Sequence, residues 1–172
     1  MAVAHSQAIR DGNPQTTVLL ADLRQPDMIL GAPAMHRLID LNRPVGVLML
    51  SMLHFLPDAD GPAVTVARLR EAVAPGSFLA TSHATQDGQP PQVVQAQAVW
   101  NARSPDPIML RTQTEVLAQF GEWRLVEPGV VHVPLWRPDT PDKVDEHPQR
   151  FNTFAGMARK DRRDRGRRLR WP

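Results

Sequence analysis

Val45-Gly46-Val47-Leu48-Met49-Leu50 is a run of six uncharged residues between Pro44 and Ser51. It is too short for a stable helix, and it is apolar on both alternating faces. It therefore predicts a strand buried on both sides, in the middle of a parallel sheet. Immediately downstream, Pro62 opens a segment in which Val66, Leu69 and Val73 recur at i, i+3 and i+7, an amphipathic helix that Ala74-Pro75-Gly76 stops. Ser77 to His83 then reads as a second strand. Upstream, Thr16 to Ala21 is a β-branched, apolar run of strand length that ends at Asp22. A polar turn and a short helix over Ala34 to Leu41 follow it, and residues 2–10 have helical composition up to the breaker Asp11-Gly12-Asn13-Pro14. Further on, residues 92–100 and 112–120 predict two helices. Trp123–Val126 and Val130–Val133 flank Glu127-Pro128-Gly129 as a hairpin, and Phe151–Ala158 reads as a last strand. Residues 135–149, rich in proline and charge, predict an exposed loop. Strands separated by helices imply right-handed crossovers, hence an α/β doubly wound sheet whose C-terminal end is antiparallel.

Composition bounds the rest. The chain has 172 residues, 42% hydrophobic and 22% charged, which suits one globular domain with a real core. Zero cysteines exclude disulfide and thiolate chemistry and fit a cytoplasmic location. No apolar run is long enough to span a membrane, and the first residues carry no signal-peptide pattern. The formal charge of +2 conceals an asymmetry: residues 159–172 hold eight Lys or Arg against Asp161 and Asp164, so the remainder is acidic. The division that follows is a domain over 1–158 and a basic, disordered tail over 159–172.

In an open parallel sheet, ligands bind beyond the carboxyl ends of the strands. Three segments fall there: Ala21-Asp22-Leu23-Arg24, Ser51-Met52-Leu53-His54 and His83-Ala84-Thr85. Each mixes small or polar residues with an apolar side chain, the mixture an adenine ring needs. Asp22 is placed to accept a hydrogen bond from a ligand, with the Leu23 N–H as donor; equally, it can cap the following turn. His54 is a candidate base, a ligand contact or a structural histidine, and His83 carries the same structural alternative. The six histidines are scattered without metal-ligand spacing, so no metal is expected. There is no GxSxG elbow, no P-loop and no GxGxxG, which leaves hydrolase, triphosphate and dinucleotide chemistry without their usual devices.

Seven stretches occur in register: Ala21-Asp22-Leu23-Arg24-Gln25-Pro26, Leu41-Asn42-Arg43-Pro44-Val45-Gly46-Val47-Leu48, Leu53-His54-Phe55-Leu56-Pro57-Asp58, Leu69-Arg70-Glu71-Ala72-Val73-Ala74-Pro75-Gly76-Ser77, Ser82-His83-Ala84-Thr85, Leu125-Val126-Glu127-Pro128-Gly129-Val130-Val131 and Trp136-Arg137-Pro138. Together they resemble an actinobacterial S-adenosylmethionine (SAM)-dependent methyltransferase family formerly listed as a domain of unknown function. The resemblance implies a Rossmann-like class I methyltransferase fold, with SAM as cofactor and a methyl acceptor that the motifs do not name. It also implies that the first two strands, with their glycine-rich loop and ribose-binding acid, lie upstream of Met1. Carried over by position, Asp22 and Leu23 contact adenine, while Ser51, Met52 and His54 line the cofactor and the transfer site. His54 is then the one candidate for a catalytic base.

Two other functions compete. One is a non-catalytic fragment, or half of a split domain, in which strands lose their neighbours. The other is nucleic-acid binding through the tail, with arginines on phosphates and Trp171 stacking on bases. A nicotinamide-dependent reductase ranks below both, because its fingerprint is absent.

Overall fold

The computed structural model describes residues 13–140, 142 and 144–162. The helix expected over residues 2–10 and the tail from Arg163 onward lie outside the described residues. In chain order the elements are α1 (Pro26–Leu30), α2 (Pro33–His36), β1 (Gly46–Leu50), α3 (Pro62–Ala72), β2 (Phe78–Ala84), α4 (Pro91–Asn101), α5 (Gln113–Ala118), β3 (Arg124–Leu125), β4 (Val131–His132) and β5 (Thr153–Arg159). The sheet runs β1-β2-β5-β3, with β4 also on β5. β1 and β2 are parallel, Leu48 opposite Ala80; β5 is antiparallel to β2, Gly156 opposite Thr81.

One face of the sheet carries the core. Met49, Leu79, Phe154 and Ala158 point toward Val66 and Leu69 of α3 and toward Val116 and Phe120, and all of these are buried together. Gly156 makes this possible, because a Cβ there would stand 2.9 Å from Val130 Cγ2 and 3.1 Å from Phe120 Cζ. The helix predicted from Val66, Leu69 and Val73 is present, and those three side chains are buried. Lys160, just past β5, donates from Nζ to the carbonyls of Arg70, Glu71 and Val73 at 2.7 to 3.3 Å. It thereby satisfies the carbonyls that the end of α3 leaves without helical partners.

The structure corrects four expectations. Thr16–Ala21 forms no strand: no described strand lies beside it, and Leu20 is 87% exposed. A strand needs a ladder as well as an apolar pattern. The polar turn after Asp22 contains α1, opened by Pro26 at its N-terminus. Gly46–Leu50 is a strand, but among the described residues it stands at the sheet edge rather than in the middle. Finally, β3 and β4 do not form a hairpin. Both pair antiparallel with β5, Leu125 opposite Ala158 and Val131 opposite Ala155, so they are one strand interrupted by residues 126–130.

Candidate functional site

The carboxyl ends of β1 and β2 meet at a turn that two serines pin. Ser51 adopts a left-handed φ of 53°, an uncommon conformation for a residue with a side chain. Its N–H donates to Ser82 Oγ at 2.9 Å, and the two hydroxyls stand 3.3 Å apart. This directs the chain into the 3₁₀ turn Leu53–Phe55, in which Leu53 and His54 are buried and Met52 is left exposed.

Beneath that turn lies a network built on Arg111. Its Nη1 donates to the Leu53 carbonyl at 3.1 Å and to His83 Nε2 at 2.7 Å. Its Nη2 donates to the Leu56 carbonyl at 3.0 Å and to Asp58 Oδ1 at 2.6 Å. A guanidinium can only donate, so His83 Nε2 must be the acceptor. The ring proton of His83 therefore sits on Nδ1 and donates to the Ala84 carbonyl at 2.8 Å. Burial, with lesser contributions from Arg111 and His54, pushes the His83 pKa down to about 4. His54 packs edge-on against His83 at 5.6 Å, and its Nδ1 accepts from the Ala84 N–H at 3.4 Å. Burial first and Arg111 second hold its pKa below the ordinary histidine value. Both imidazoles are thus neutral near pH 7.

Beside this network is a cleft of about 670 Å³. Leu20 to Arg24 form one wall, Phe55, Leu56, Pro57 and Asp60 another, and residues 105–107 close the third side. Arg24 clamps Asp22: Nε lies 2.9 and 3.0 Å from the two carboxylate oxygens and Nη2 lies 2.6 Å from one. The Arg24 hydrogen bonds hold the Asp22 carboxyl below its ordinary pKa. Arg24 also reaches Asp60 at 3.7 Å, joining the first wall to the second.

Of the residues singled out from sequence, Asp22 and Leu23 line the cleft. Ser51, Met52 and His54 do not line it; they lead directly into Phe55, which does. Arg111 escaped the sequence reading, since a lone arginine in an apolar stretch has no spacing signature. The nearest signal was Thr112 with Glu115 three residues on, which forms a capping box at the start of α5 and fixes where Arg111 stands. Among the described residues, no group of three or more His, Cys, Asp or Glu could hold a metal ion.

The family profile for S-adenosyl methyltransferases matches residues 1–161. The chain belongs to the S-adenosyl methyltransferase family. Two solved structures agree. A Thermobifida fusca protein described as a methyltransferase is 35% identical over 93% of this chain, with a TM-score of 0.82. A DUF574-family protein from Streptomyces avermitilis is 34% identical over 90%, also at 0.82. They confirm the Rossmann-like methyltransferase fold expected from the motifs. A chain from a Haloferax volcanii methyltransferase–activator complex, at 12% identity and a TM-score of 0.58, shares the fold alone. This family member spans 59% and 60% of the lengths of the first two relatives. No sequence among the curated proteins matches it.

Proposed function

We propose that this chain contributes the adenine side of a SAM site, and the neighbouring acceptor side, to a methyl-transfer reaction on an acceptor of undetermined class. The observation that carries the reading is the cleft itself. Asp22 offers a carboxylate beside the apolar side chain of Leu23, and Phe55, Leu56 and Pro57 form an apolar wall beside them. A planar base with an exocyclic amine fits that combination: apolar surface for the ring, an acceptor for the N–H. SAM, when bound, supplies a methyl group on a sulfonium, and transfer of that group is a displacement that depends mainly on alignment. The chain's own residues would act on alignment and on proton transfer. The Ser51–Ser82 pair fixes the turn above the transfer site. Arg111 holds residues 53–58 in place, and His54, kept neutral by burial, is able to take a proton from an acceptor hydroxyl or amine.

Isothermal titration of the chain with adenosine and with SAM tests the proposal. Both should bind with similar affinity, because the contacts named lie on the nucleoside. Asp22→Ala should weaken both by about ten-fold, the loss of one charge-assisted hydrogen bond. Absence of heat with both ligands, or an Asp22→Ala variant that binds as well as the parent, would overturn it. A second reading, half of a split domain, is favoured by one observation: among the described residues β1 pairs with β2 alone, and Leu48 and Leu50 are exposed.

A further inference from the structure

Helix α4 turns little of itself toward the core: none of its residues is buried, and Val99 and Trp100 are 54% and 53% exposed. Polar side chains hold it in place instead. Asn101 grips Ile108 twice, its Nδ2 donating to the Ile108 carbonyl at 2.9 Å and its Oδ1 accepting the Ile108 N–H at 2.8 Å. Gln97 Nε2 donates to the same carbonyl, and Trp100 Nε1 donates to the Asp106 carbonyl at 3.4 Å. Helix and returning chain thereby border a second depression, of about 490 Å³, lined by Ala96, Val99, Trp100, Arg103, Ser104 and Pro105. The lining is mostly apolar, and the Ser104 hydroxyl is already taken up by the backbone of Asp106. Arg103 is the one charged residue in it, and among the described residues Arg103 has no ion pair.

This groove adjoins the cleft beside Asp22. Pro105 lines both, while Asp106, whose carbonyl meets the Trp100 indole, lines the cleft and not the groove. Past Ile108 the chain runs straight to the candidate base, for the Met109 N–H donates to the His54 carbonyl at 2.7 Å. A cation just after the last turn of α4 suits the helix dipole, which is reason enough for an arginine at 103. The dipole gives no reason for an indole and a valine left half-exposed along the same groove. An apolar concave surface with one convergent charge is the usual make-up of a small-molecule site. We propose that this groove holds the non-reacting end of the methyl acceptor, and that the acceptor is a planar, apolar molecule carrying a carboxylate. Its ring lies against Trp100 and Val99, and its carboxylate takes the forked donors of Arg103. As an acceptor subsite the groove rests on the cofactor reading of the cleft; as a site for such an acid it rests on its own residues.

The probes are cinnamate and its uncharged counterpart cinnamyl alcohol, titrated into the isotope-labelled chain and followed by NMR. Cinnamate should shift the Ala96 and Val99 amides and the Trp100 indole N–H saturably, and leave the Trp123 and Trp136 indoles in place. The alcohol should move the same signals at about ten-fold higher concentration. Arg103→Gln should weaken cinnamate about ten-fold, the loss of one charge-assisted contact, and leave the alcohol unchanged. Trp100→Ala should weaken both ligands at least ten-fold. Saturating adenosine should shift Leu23 and leave cinnamate bound, because groove and cleft share little beyond Pro105. Acid and alcohol binding equally, shifts that survive Trp100→Ala, or cinnamate expelled by adenosine would overturn the proposal. So would Ala96 and Val99 amides that do not respond to cinnamate. Cinnamate bound in the groove with no response to adenosine would instead refute the proposed function, and leave the groove as a site for such acids. Adenosine bound with cinnamate inert would do the reverse.

Discussion

The acid response of His83 follows directly from its surroundings. The ring is fully buried, with Nδ1–H committed to the Ala84 carbonyl and Nε2 facing the Arg111 guanidinium. A second proton would have to enter between two donors. The folded-state pKa of about 4 therefore lies below the ordinary 6.5. The folded chain demands the neutral ring, so this contribution to stability is fully present above pH 6.5 and is lost as pH falls toward 4. Linkage gives a loss of about 2 kcal/mol by pH 5 and about 3 kcal/mol at pH 4. The window between pH 7 and 5 isolates the effect. Asp22, Glu115 and Asp161 are held below their ordinary values by hydrogen bonds from Arg24, Thr112 and Arg124, and titrate lower still. His54, held down chiefly by burial, adds a smaller change of the same sign. The assay is urea unfolding followed by tryptophan fluorescence at several pH values, on the parent and on His83→Gln, whose side chain gains no proton in this range. The parent should lose most of that stability between pH 7 and 5, and the variant should show a much flatter profile. A His83 resonance titrating near 6.5 by NMR, or equal slopes in parent and variant, would refute the reasoning.

Four further outcomes are expected from three variants. Arg111→Met leaves the Leu53 and Leu56 carbonyls and His83 Nε2 without their donor, and should cost about 3 kcal/mol in urea unfolding. The same variant should raise the pH at which His54 titrates by NMR, since Arg111 supplements the burial that depresses it. Gly156→Val drives a side chain into Val130 and Phe120, and should lower unfolding stability by about 1–3 kcal/mol through overpacking. Thr112→Ala removes the hydroxyl of the capping box at α5 and should cost about 1 kcal/mol by thermal or urea unfolding.

What was legible in the sequence is what local chemistry decides. Val66, Leu69 and Val73 announce α3 because burial of a helical stripe follows from spacing alone, and the alternating strand β2 ends where the pattern ends. The same logic marked Gly46–Leu50 as a strand, but not its place at the edge of the sheet among the described residues, because an apolar run reports what a strand can touch rather than what stands beside it. Thr16–Ala21 shows the converse: a strand-like composition without a neighbouring ladder stays irregular. In the site, Asp22 could be located from its position after an apolar run. Its clamp by Arg24, two residues on, was open to several geometries, and only the fold selects one. Arg111 was invisible because its four side-chain partners lie 28 to 58 residues away, and no periodicity connects them.

Lys160 sets a limit of another kind. Charge counting assigns it to a basic tail, yet its ammonium closes the end of a helix about ninety residues earlier in the chain, and its backbone joins Ser77 and Gly76. Shortening the chain after Arg162 should therefore leave the described fold intact. Shortening it by only three more residues should fray α3 and loosen the last strand together. The boundary between dispensable and essential sequence is drawn here by where one side chain anchors, and it cuts through the middle of a cluster that looks uniform by composition.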